Sequence, residues 1–121
     1  MTRSTPTLPY GDIAGNYGRV RYYLQRGAPF NHSTMAAFRP ERRLPADLRD
    51  PGRLSGESRE RWLRDLWNVA YVVWSYRTPV WWVTWDGRVY AAMDVGGVTT
   101  AKHRNLALAW AWKPEPEGDA E

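Results

Sequence analysis

The sequence predicts an α+β fold, a small antiparallel β-meander packed against helices in a single domain. Three observations predict it. First, AYVVWSY, PVWWVTW and RVYAAM follow one another between residues 70 and 93, rich in the β-branched and aromatic side chains that suit a pleated, half-buried surface. Second, Asp86-Gly87 separates the last two runs, and an Asp-Gly pair supplies the positive φ angles of a tight hairpin. Third, stretches on either side of these runs repeat apolar residues at helical spacing. A length of 121 residues suits one domain and can bury a core without disulfide or metal staples.

Taken in order, residues 1–16 read as a flexible arm rich in Thr, Pro and Gly. The domain proper is expected over 17–113. Within it GRVRYYLQRG alternates, so Val20, Tyr22 and Leu24 fall on one face of a strand and Arg19, Arg21 and Tyr23 on the other. APFNHSTMAAFRP follows as a turn and a short second element. Residues 39–56 form a long, proline-containing connection anchored mainly by Leu44, Leu48 and Leu54. A helix begins near Ser55 or Ser58, with Glu57 and Glu60 at the positive end of its dipole. Trp62, Leu63, Leu66, Trp67 and Ala70 make its apolar face.

In the hairpin, a two-residue Asp86-Gly87 turn sets Trp85 opposite Arg88, Val83 opposite Tyr90 and Trp81 opposite Ala92. Trp81, Val83, Trp85, Arg88 and Tyr90 then share one face, while Val80, Trp82, Thr84, Val89, Ala91 and Met93 share the other. Both faces are largely apolar, which predicts helical cover on one and partial cover on the other. Pro79 suits an edge or the first residue of a strand, because it cannot donate within a ladder. A final helix is expected from a Thr100 cap to about Trp112, with His103, Leu106 and Trp110 on its packing face. Pro114 stops it, and 114–121, PEPEGDAE, form an acidic tail expected to be disordered.

Composition narrows the chemistry. Without cysteine, disulfides, thiolate metal sites and cysteine nucleophiles are excluded. Only His32 and His103 remain as imidazoles, which argues against a histidine-rich metal site. The N-terminus has no apolar signal segment, and no run is long enough to cross a membrane, so a cytoplasmic protein with no membrane partner is expected. The net charge of +4 is uneven: residues 1–64 carry twelve arginines against six acids, whereas residues 65–121 carry five basic groups against seven acids. A basic front half suits nucleic acid or an acidic partner, and equally a solvated arginine surface. Arg19, Arg21, Arg42, Arg43, Arg53, Trp85 and Arg88 are the candidate residues of such a surface.

GGVTTAKHRNLALAW, residues 96–110, concentrates anion-friendly features. A helix start leaves amide N–H groups unpaired and carries the positive end of the dipole. Thr99, Thr100, Lys102, His103 and Arg104 lie within reach of it, and they are candidate phosphate ligands. The alternative reading is a capped helix with His103 packed under the sheet. Trp81, Trp82 and Trp85 suit base stacking, and such residues more often belong to a core. No carboxylate pair, nucleophile motif or metal spacing accompanies the histidines, so neither a catalytic residue, a metal nor a cofactor is expected.

The string VVWSYRTPVWWVTWDGRVYAAMDVGGVTTAKHRN resembles a small, uncharacterised domain family of actinobacterial phages and mobile elements. Its motifs match at Ser75, Tyr76, Thr78, Pro79, Val80, Asp86, Gly87, Tyr90, Val98, Thr99, Thr100, Lys102, His103 and Asn105. Upstream, Phe30, His32, Ser33, Met35 and Gly52-Arg53-Leu54 resemble it too. Ala101, Arg104 and Gly97 depart from its usual serine, glutamine and aromatic residue. The resemblance implies a phage or prophage accessory protein acting in the host cytoplasm, and no mechanism. With the Ser-Tyr-x-Thr-Pro and Thr-Thr-x-Lys-His segments flanking one sheet, Tyr76, Thr78 and His103 are expected to form a structural polar cluster. Two functions follow as expectations. One is a non-enzymatic module that contacts nucleic acid or another phosphate-bearing partner. The other is a protein–protein module that modulates a host or phage protein through exposed aromatics.

Overall fold

Five strands hydrogen-bond in the order in which they occur in the chain, each antiparallel to the next, so the sheet is a meander. The structure, a computed structural model, describes residues 17–115. Helix α1 (Tyr17–Gln25) precedes the hairpin β1 (Phe30–His32) and β2 (Met35–Phe38). After the long connection come α2 (Gly56–Asp65), β3 (Val69–Ser75), β4 (Thr78–Thr84), β5 (Val89–Ala91) and α3 (Val98–Trp110). This is the α+β meander that the three strand-like runs predict. The arm read in 1–16, and the tail from residue 116 onward, lie outside the described residues.

Every residue of β3 and β4 is buried, because both faces of the sheet are covered. On one face Val69, Val72, Trp74 and Trp82 meet Trp62 and Leu66, together with Leu44, Leu48 and Leu54 of the long connection. On the other, Tyr71, Val73, Val80, Trp81 and Val83 meet Val20 and Leu24 of α1 and Ala107 of α3. The 39–56 segment is therefore a covering layer: its three leucines are buried, and the Trp62 indole N–H donates to the Arg49 carbonyl at 2.8 Å. Asp65, also buried, accepts from the Trp82 indole at 3.0 Å and pairs with Arg88 at 3.4 Å, so its charge is compensated.

Four local readings of the sequence are corrected. Residues 17–25 form a helix, not a strand. Val20 and Leu24 are four apart, so they share a face at either period; in the helix both are buried and Tyr22 swings out to solvent. The helix closes on Gly27, at φ +62°, with Ala28 N–H on the Tyr23 carbonyl and Gly27 N–H on the Leu24 carbonyl, a Schellman ending. In the β4–β5 hairpin the loop has three residues. Gly87 N–H bonds the Thr84 carbonyl and Thr84 N–H bonds the Arg88 carbonyl, with positive φ at Gly87 and not at Asp86. The register moves by one, pairing Trp82 with Tyr90 and Val83 with Val89, so the residues of β5 exchange faces.

The third correction is at α2, which ends at Asp65 and passes through a 3₁₀ turn into β3. Trp62 and Leu66 face the sheet, but Leu63 and Trp67 lie about 100° further round and are exposed, and Ala70 belongs to the strand. The sheet is not wide enough to cover the whole apolar arc. The fourth is at α3, which starts three residues earlier than the Thr100 cap requires. Gly97 takes the cap position, and no side chain caps it. The packing face is Thr100, His103, Arg104 and Ala107, with Trp110 turned outward.

Candidate functional site

The turns at one end of the sheet meet the start of α3. Both the β1–β2 and β3–β4 connections are two-residue loops, with positive φ at their first residues, Ser33 and Tyr76. The Tyr76 N–H donates to the Thr34 carbonyl at 2.7 Å and ties the loops together. Just before the second loop, the Ser75 hydroxyl lies 2.7 Å from His103 Nδ1 and donates to Thr100 Oγ1 at 3.2 Å. With serine's one proton given to Thr100, the consistent assignment has the imidazole donating to serine. Arg53 closes the ring: its guanidinium donates to Thr100 Oγ1 at 3.3 Å, and its backbone N–H donates to Thr78 Oγ1 at 2.9 Å. Gly52 makes this approach possible, because a Cβ there would stand 2.5 Å from the Arg77 carbonyl oxygen.

This arrangement joins the segments that carry the sequence resemblance, but with a changed cast. Thr78 and His103 belong to one hydrogen-bonded chain through Arg53, Thr100 and Ser75, while Tyr76 is an exposed turn residue. Ser75 is the member the sequence reading missed; β3 runs one residue short of Tyr76, which leaves the serine inward. His103 is buried, and desolvation, with His32 and Lys102 nearby, pushes its pKa down to about 4. It is thus a neutral imidazole at pH 7, locked between helix and hairpin.

The candidate phosphate ligands do not converge on an open site. Thr100 and His103 are buried in the lock. Arg104 is also buried, and its guanidinium donates to the Ala92 and Val95 carbonyls at 3.2 and 3.1 Å. It pins the β5–α3 connection to α3. Thr99 is half-buried and Lys102 is exposed, so of the candidate ligands these two reach solvent.

The candidate surface residues divide as well. Arg88 is engaged with Asp65 and with Asp86, at 3.1 Å, and not with Trp85. Asp86 in turn is held below the usual carboxylate range by the Thr84 hydroxyl and Arg88. Trp85 packs edge-on against Trp112 at 6.2 Å. Arg19 and Arg21 are exposed on α1, with the Arg21 guanidinium 5.7 Å from the Trp110 ring. Arg42, Arg43 and Arg53 are exposed around the covering segment.

There the structure shows a feature that helical periodicity hid. Trp67 is 54% exposed, and two guanidinia stand over its ring, Arg49 at 4.6 Å and Arg43 at 5.9 Å. Arg49 is fixed, since its Nε donates to the Leu44 carbonyl at 2.9 Å and its own carbonyl receives the Trp62 indole. Leu63, one turn before Trp67, extends the exposed apolar surface. The signal available in the sequence was the pair Trp62 and Trp67, five residues apart: a helix cannot turn both to the same sheet.

No group of residues suited to hold a metal ion occurs among the described residues, and none of their helices is long and apolar enough to cross a membrane. The molecule is an α+β domain with a closed polar lock at the start of α3 and an open arginine–tryptophan surface around Trp67. Comparison with known proteins finds no matching family model, no matching curated protein and no matching solved structure.

Proposed function

We propose that this protein is a non-enzymatic binding module for nucleic acid, with the 39–56 segment and Trp67 as its contact surface. The observation that carries this reading is the exposed indole of Trp67 beside the pinned guanidinium of Arg49 and the exposed Arg43. Aromatic faces set among cationic side chains are how proteins hold bases and phosphates together. Arg42, exposed on the same segment, supplies a further phosphate contact, and residues 39–53 carry five arginines against three acids. The motif resemblance supports placing the module among phage or prophage accessory proteins.

Binding to labelled single-stranded and duplex DNA, followed across a salt series, tests the reading. Phosphate contacts release counterions, so affinity should fall steeply with salt. No association at micromolar protein in low salt overturns it. That result would favour a protein partner, for which one side of α3 is the better surface: Val98, 90% exposed, lines a shallow groove there with Ala101, Ala109 and the exposed Trp110. An interface centred on those side chains would be far less sensitive to salt.

A further inference from the structure

We infer that Trp67 is a stacking platform for an unpaired base, so that the protein prefers a single strand to a duplex; this rests on the nucleic-acid reading above. An indole ring stacks on a base only where the base is unstacked from its neighbours, which a duplex interior does not offer. The geometry around Trp67 suits that use. Its exposed fraction, 54%, leaves room for a ligand ring while the Arg49 guanidinium lies 4.6 Å from the centroid. Arg49 is held by the Leu44 carbonyl, so the cation needs no reordering when a phosphate arrives. Arg43, exposed and looser at 5.9 Å, is free to turn to the adjoining phosphate. The segments that carry the platform are anchored, because Leu44 and Leu48 on one and Trp62 and Leu66 on the other are buried in the same core cluster.

The division of labour is therefore specific. Trp67 reads the presence of an unpaired base, and Arg43 and Arg49 contribute affinity that any phosphate chain would share. Because every base has a π-face, the platform is tolerant of sequence.

The test uses the full chain and two probes, a fluorescent oligo-thymidine and a labelled duplex of equal length, read by anisotropy at low salt. The single strand should bind more tightly than the duplex. Trp67→Ala should weaken single-strand binding by about 10- to 100-fold, as loss of one base–aromatic stack does. It should change duplex binding little, and Trp67→Phe should recover most of the loss. Arg43→Ala should weaken both probes alike and flatten the salt dependence. In the unaltered protein, near-ultraviolet crosslinking to an oligonucleotide carrying 5-iodouracil should map to Trp67, which keeps the test independent of any variant's folding. If the protein binds the single strand but Trp67→Ala binds it equally well, or the crosslink maps elsewhere, the platform is overturned and the nucleic-acid reading stands. If neither probe binds, the functional reading itself fails, and the platform with it. Equal, Trp67-dependent binding of poly-glutamate would overturn the assignment to bases and give the surface to acidic proteins.

Discussion

The start of α3 and the surface around Trp67 are made of similar materials, arginine, backbone carbonyls and a ring, and they end in opposite states. At the start of α3 the arginine, the hydroxyls and the imidazole satisfy one another: Arg53 meets Thr100, Thr100 meets Ser75 and Ser75 meets His103. Around Trp67 the backbone is equally pinned, yet the ring and the exposed Arg43 face solvent. The difference teaches that residue type does not identify a site. A polar cluster that has spent its hydrogen bonds internally is a fastener, and a rigid surface with unspent ring area and charge is available to a partner.

The comparison breaks hardest at Trp62 of α2, the buried counterpart of Trp67 five residues earlier. Trp62→Ala removes a fully buried ring packed edge-on against Trp82 at 5.0 Å and orphans the Arg49 carbonyl. The expected cost is about 3–5 kcal/mol in urea unfolding. If the fold tolerates it within 1 kcal/mol, the covering layer contributes nothing to rigidity, and the platform loses its foundation.

Gly52→Val attacks the closed end. Its φ is +60°, and the new side chain would meet the Arg77 carbonyl oxygen at 2.5 Å and Thr78 Oγ1 at 2.6 Å. Backbone strain and overpacking together should cost about 3 kcal/mol. The Arg53–Thr100 contact should be lost with it, observable as faster hydrogen exchange at the start of α3.

Protonation probes the same lock from inside. His103 has a folded pKa of about 4 against an ordinary 6.5. Between these values the unfolded chain binds more protons than the folded one, so stability falls as pH drops from 6.5 toward 4. The slope contributed is at most about 1.4 kcal/mol per pH unit. His103→Asn should be less stable at pH 7 but flatter across that window. Parallel pH profiles for the two proteins would show that the imidazole is not buried as a neutral group.

How much of this was legible beforehand varies with the physics of each element. β3 and β4 declared themselves, because strands buried on both faces must be rich in Val and Trp. α1 did not, since Val20 and Leu24 are an even number apart and also one helical turn apart; Gly27 was the signal that separated the two readings. Asp86-Gly87 located the hairpin but not its loop length, because glycine at positive φ serves a two-residue turn and a three-residue one alike. The meeting of the β3–β4 turn with the start of α3 was legible from their flanking positions. Its chemistry was not, because one residue of strand length decides whether Ser75 or Tyr76 points inward. Trp67 was invisible as a surface, since periodicity finds an apolar arc and cannot tell how much of it the sheet has room to cover.

The smallest expected effect on stability is at Trp67 itself, and it sharpens the comparison most. Half of the side chain is already in water, so truncation removes little buried area. What it does remove is the contact with Arg49 and the looser one with Arg43. Exposed cation–π pairs are worth about 0.5–1 kcal/mol, so Trp67→Ala should shift the urea midpoint only slightly. Arg49 should keep its place, because its bond to the Leu44 carbonyl does not involve the ring. Two tryptophans five residues apart would then differ several-fold in their contribution to stability, with the order reversed for binding a single strand. Should Trp67→Ala destabilise the domain as much as Trp62→Ala, the ring is a structural member of the covering layer, and its exposure is incidental to function.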